Sequence, residues 1–106
     1  MSKRTKDKAS VSHDEWVVRE LRRDPKFAVE YLKAAIEDTE DPQVLLIALR
    51  RIAEARGGIA KVAKAAGIER ESLYRALSPR CNPGFSTLAA VTKAVGLKLT
   101  VEAAQR

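Results

Sequence analysis

A chain of 106 residues suits one small domain with a modest core, and an apolar content of 45% makes it globular rather than disordered. One cysteine, Cys81, excludes an internal disulfide, and a single histidine, His13, far from it in the sequence leaves no zinc-type ligand spacing, so neither metal nor cofactor is expected. A net charge of +6 points to a phosphate-bearing partner, while the absence of a long apolar run or a signal-peptide core predicts a cytoplasmic protein with no membrane contact.

Aromatic residues make up only 5% of the chain, and the sequence is rich in alanine and other good helix formers, which predicts an all-α fold. Residues 1–11 read as a disordered basic tail. Ser12 and Glu15 form a possible capping box at the start of a helix running to about Arg23, with Trp16, Val17 and Leu21 near one face. Asp24-Pro25 stops that helix and starts the next, with Asp24 as N-cap and Pro25 at the first helical position. Phe27, Ala28, Tyr31, Leu32, Ala35 and Ile36 give the second helix an apolar stripe, and its end is acidic.

Asp41-Pro42 repeats the start signal for a third helix, to about Arg56. Its apolar run Val44–Leu49 is too long for one face, so this helix is either surrounded by others or partly covered by another chain. Gly57-Gly58 ends it. Three shorter units follow. Ile59–Ala66 is a helix with Ile59, Val62, Ala63 and Ala66 inward. Gly67-Ile68 is a tight turn, and Glu69 to about Ser78 is a helix with Leu73, Ala76 and Leu77 inward. Phe85–Val95 is a helix capped by Ser86, with Leu88, Val91 and Val95 inward. Leu97–Val101 alternates apolar and polar residues and reads as a short C-terminal β-strand, for which a dimer mate would supply the partner. Residues 102–106 read as a frayed end. The domain boundaries expected are therefore 12–41 for an N-terminal helical segment and 42–101 for the main domain.

Charge is unevenly spread. Residues 1–56 hold 12 basic and 11 acidic side chains, and residues 57–106 hold 8 and 3. The basic half contains two short helices about a glycine turn, the helix-turn-helix pattern. Small Ala63 permits close approach, Gly67 takes the left-handed turn conformation, and Ile68 and Leu73 anchor the second helix. Arg70, Glu71, Ser72, Tyr74 and Arg75 are left on its exposed side. Arg70 and Arg75 suit bidentate bonds to guanine, Glu71 suits a cytosine amino group or the orientation of an arginine, Ser72 is an adaptable donor and acceptor, and Tyr74 suits a thymine methyl or a phosphate. Lys61, Lys64, Arg80, Asn82, Ser86, Thr87 and Lys93 flank them as phosphate contacts, which position without specifying sequence.

The stretch GIAKVAKAAGIERESLYRALS followed by NPGFSTLAAVTKAVGLKL resembles the lambda-repressor-like (XRE-type) helix-turn-helix fold, and more narrowly the HigA-like addiction module antidote family. The upstream DPKFAVEYLKAAIEDTED resembles that family's preceding helix, so the resemblance covers residues 24–101. It implies a small helical bundle and a type II antitoxin. Such a protein neutralises a small basic toxin of the RelE/HigB-like class by direct binding. As a homodimer it also represses its own operon on double-stranded operator DNA, with base reading by Arg70, Glu71, Ser72, Tyr74 and Arg75.

The toxin surface has no sharp motif. An acidic patch repels phosphate and attracts a basic partner, so Glu30, Glu37, Asp38, Glu40 and Asp41, with Tyr31 and Leu45 or Leu46, are expected to form or border it. A stand-alone XRE-type regulator is the alternative, and the extra N-terminal helical segment, which a minimal repressor does not need, argues against it. His13 and Cys81 lack an activating partner in the sequence and no catalytic residue set is present, so no enzymatic activity is expected.

Overall fold

The computed structural model describes residues 12–38 and 41–104. The basic tail expected over residues 1–11, the candidate toxin contact Glu40 and the last two residues of the frayed end lie outside them. Among the described residues the chain folds into six helices: α1 (His13–Arg23), α2 (Pro25–Glu37), α3 (Pro42–Ala55), α4 (Ile59–Ala66), α5 (Arg70–Ala76) and α6 (Phe85–Ala94).

The first three helices begin where the sequence says they should. Ser12 and Glu15 form the reciprocal capping box of α1, the Glu15 amide donating to Ser12 Oγ at 3.1 Å and the Ser12 amide to Glu15 Oε1 at 3.2 Å. Asp24 accepts from the Lys26 amide and Asp41 from the Gln43 amide, both at 3.0 Å, with proline following each cap. Helix α3 packs on α1, α2 and α4, and α4 packs on α5 and α6. Leu21, Leu49, Ile52, Leu73, Leu77 and Val91 are among the fully buried side chains that fill the space between them. Each contributes roughly 1.5–3 kcal/mol by leaving water.

Four expectations change. The β-strand over Leu97–Val101 does not form, and the described residues contain no strand. Alternation supplies one apolar face, but strand backbone needs a neighbouring ladder, and these helices offer no sheet edge. Helix α6 is capped by Gly84 without a side-chain bond, so Ser86 sits inside the first turn rather than at the cap. Trp16 is half exposed, its ring edge-on to Phe27 at 6.0 Å, so α1 turns Val17 and Leu21 inward instead. The long apolar run of α3 buries Leu46, Ala48 and Leu49 but leaves Ile47 exposed.

Candidate functional site

The turn between α4 and α5 closes by a Schellman pattern: Ile68 N–H donates to Ala63 O at 2.9 Å and Gly67 N–H to Lys64 O at 3.2 Å. Gly67 sits at φ 72°, a left-handed conformation that costs an ordinary L-residue roughly 1–2 kcal/mol. The turn sends the chain into α5, whose own buried residues then fix its rotation. At about 100° per residue, Leu73 and Leu77 fall on one side, and Arg70, Tyr74, Glu71 and Arg75 fall together on one arc of about 140° that starts at the edge of that buried side. Those four line one open depression with Ile59 of α4 and Ser78. Ser72 stands apart from this group. It is half-buried, and its Oγ lies 3.5 Å from the Glu69 carboxylate.

The C-terminal end of α5 is held from α3. Arg50 Nη2 donates to Leu77 O at 3.1 Å, and its guanidinium lies 5.6 Å from the Tyr74 ring centre, a cation–π contact. The Arg50 Nε is buried and has no hydrogen-bond partner among the described residues. Ser78 Oγ donates to Tyr74 O at 2.8 Å. Tyr74 is thus backed by Arg50 while 59% of its surface faces solvent. Arg56 performs the equivalent service for α6, donating from Nε to Val95 O at 3.2 Å. Cations placed on helix C-termini also complement the helix dipole.

Of the expected phosphate contacts, Lys61, Lys64, Arg80, Asn82, Ser86 and Lys93 are exposed, and Thr87 is half-buried. Arg80 adopts a left-handed backbone, φ 71°, in the loop between α5 and α6.

A second surface lies between α2 and α3. Tyr31, Asp38, Val44, Ile47 and Arg51 line an open groove floored by Ala35 and Ala48. Arg51 Nη1 donates to the Tyr31 hydroxyl at 2.9 Å, and its other terminal nitrogen pairs with Asp14 of α1. Glu30 is exposed on α2, Asp41 is exposed but occupied as the α3 cap, and Glu37 lies toward the C-terminal segment instead of in this groove. Leu46 is buried in the core and Leu45 is half-buried against it, so they support the surface from beneath; Ile47, between Leu46 and Ala48, is the residue that reaches it. On α1, the hydrogen bond and charge of Glu20 hold the Arg23 guanidinium above its ordinary pKa.

Residues 15–103 match the family described as "Probable addiction module antidote protein". The chain belongs to that family. An uncharacterized protein of Haemophilus influenzae is 40% identical over 72 residues, which are 68% of this chain and 72% of the relative. No solved structure matches. Membership among the antidotes of addiction modules supports an antitoxin role and implies a toxin partner of some kind.

For an antidote, the residues that the sequence left unnoticed are instructive. Arg50 and Ile47 were hidden in an apolar helix, and Phe85, 75% exposed at the start of α6, was concealed by its membership of a regular apolar repeat. The described residues hold no cluster of metal-ligating side chains, and none of their helices is long and apolar enough to cross a membrane.

Proposed function

We propose that this antidote neutralises a small basic RelE/HigB-like toxin by direct binding, and represses its own operon by inserting α5 into the major groove of operator DNA. The observation that carries the DNA half is the arc of Arg70, Glu71, Tyr74 and Arg75 lining one open depression, on a helix rotated by Leu73 and braced by Arg50. Arginine pairs with guanine edges, glutamate accepts from cytosine, and a tyrosine ring meets a thymine methyl. The exposed amines of Lys61 and Lys64, on the preceding helix, suit backbone phosphates. Ser72, half-buried and turned toward Glu69, is better placed to steady the helix start than to read a base. A homodimer would present two copies of α5 to half-sites about 34 Å apart, one helical turn, so the operator should be a palindrome.

The toxin half rests on the acidic end of α2 and the groove beside it. Glu30 and Asp38 supply charge against a basic partner, and Ile47, Val44 and Tyr31 supply apolar contact. The two surfaces use different elements, so one test separates them. Reversing Glu30 and Asp38 to lysine should abolish co-purification with the toxin and leave the gel shift on the promoter intact. Arg70→Ala should cost about 1–3 kcal/mol of operator binding and relax specificity at one base pair. An Arg70→Ala protein that shifts the promoter as well as the parent removes α5 as the reader.

A further inference from the structure

The depression on α5 is lined mainly by polar groups, the side chains of Arg70, Glu71, Arg75 and Ser78. Two lining residues are of another kind. One is Tyr74, 59% exposed, and the other is Ile59, the first residue of α4. Ile59 is half-buried, packed against the core on one side and open to the depression on the other. Two helices thus bring an aromatic ring and a branched aliphatic side chain to one polar surface. The ring is also held. An exposed tyrosine turns about two side-chain bonds, and freezing such a side chain on binding costs entropy. Here the Arg50 guanidinium lies over the ring, 5.6 Å from its centre. That guanidinium is itself fixed, because Nη2 donates to Leu77 O at 3.1 Å and Nε is buried. Nε has no hydrogen-bond partner among the described residues, and burying an unpaired donor is unfavourable. An aliphatic side chain at position 50 would avoid that penalty. What only arginine supplies is a carbonyl cap together with a flat cation against the Tyr74 ring.

Among the base edges displayed in the major groove, the hydrogen-bonding groups have one apolar companion, the C5 methyl of thymine. We propose that Ile59 and Tyr74 form a pocket for that methyl, and that Arg50 is the positioning residue that orders the ring without touching DNA. The proposal rests on the DNA-reading role of α5 given above and deepens it. It names one base, and it names two residues outside α5, Ile59 and Arg50, that select it. The neighbouring base follows from helix geometry. Arg70 lies one turn before Tyr74 on the same arc, a rise of about 6 Å, and successive bases are about 3.4 Å apart. A guanine held by Arg70 therefore lies within about two base steps of the thymine.

The test replaces thymine by uracil, which removes the methyl and leaves the hydrogen-bonding edge unchanged. In an interference experiment on the DNA upstream of the chain's own coding sequence, uracil at one thymine of the bound site should weaken binding about fourfold, the worth of one buried methyl. Synthetic fragments carrying thymine or uracil at that position then give an affinity ratio for each variant of the full chain. Tyr74→Ala should bring the ratio to about one, and Ile59→Ala to about two. Arg50→Met should lower it to about two as well. Arg50→Lys keeps a cation for the Leu77 carbonyl without the flat group, and it should lower the ratio in a chain whose circular dichroism matches the parent. A merely structural role for Arg50 weakens binding to both fragments alike, and an unchanged ratio in the lysine variant overturns its assignment. An unchanged ratio in Ile59→Ala overturns the pocket. A parent chain that binds the promoter equally well with and without the methyls overturns the whole proposal and leaves α5 as the reader, whereas a parent chain that does not bind the promoter overturns both.

Discussion

Helices α1–α3 and α4–α6 are built by opposite means. Each of the first three carries its own start: the Ser12 capping box, then Asp24 and Asp41 before proline. None of the last three has a side-chain cap at its N-terminus. They are also shorter, at 8, 7 and 10 residues against 11, 13 and 14, and isolated helices of that length are marginal in water. Their shape is imposed from outside, by burial of Leu73 and Val91 and by two arginines, Arg50 of α3 and Arg56 at its C-cap, that reach the ends of α5 and α6. The lesson is that the proposed reading helix owes its position to residues that never approach DNA. α3 serves both halves at once, with Arg51 holding Tyr31 and Asp14 on one side and Arg50 holding α5 on the other.

That contrast can be broken in a graded way. Leu73→Ala, at a fully buried site on α5, should destabilise the chain by about 2–5 kcal/mol and abolish operator binding with it, as measured by urea unfolding and gel shift. Arg50→Ala strips the partner from the Leu77 carbonyl and the support from Tyr74. It should cost about 1–3 kcal/mol, with the loss of amide-exchange protection concentrated in α5. Asp41→Ala removes a self-made cap instead. It should cost about 1 kcal/mol and leave the exchange pattern of α5 unchanged. The smallest effect is expected for Lys64→Ala, which should weaken all DNA sequences alike and lower the salt dependence by about one unit of slope, without a change in stability.

How much of this was legible in the sequence follows the range of the interaction involved. Local chemistry was readable: Ser12 with Glu15, Asp-Pro at two helix starts and Gly67 at the turn each act within a few residues. The inward residues of α5 were readable too, because Leu73 and Leu77 keep helical spacing. What failed was the prediction that needed a partner. The alternation in Leu97–Val101 has the pattern of a strand, but no sheet edge exists among the described residues to receive it. Ser86 lost the cap to Gly84 because the helix begins at Phe85, two residues before a helix capped by Ser86 would start. The long-range contacts were invisible. Arg50 meets Leu77 across 27 residues and Arg56 meets Val95 across 39, and nothing in an apolar helix marks those arginines as caps. At the proposed toxin surface the charge pattern was readable, but the phase of α3 was not, which is why Leu45 or Leu46 was expected where Ile47 reaches the groove.

The central claim is that one small chain carries a toxin-binding surface on its acidic helices and a DNA-reading helix on its basic half. Its most direct test is to purify the tagged protein from its native host and weigh what elutes with it. The account predicts a small basic protein in fixed ratio, whose expression alone arrests growth, and its loss when Glu30 and Asp38 are reversed. Recovery of the protein alone, still able to shift its own promoter, would contradict it and make the chain a regulator without a toxin.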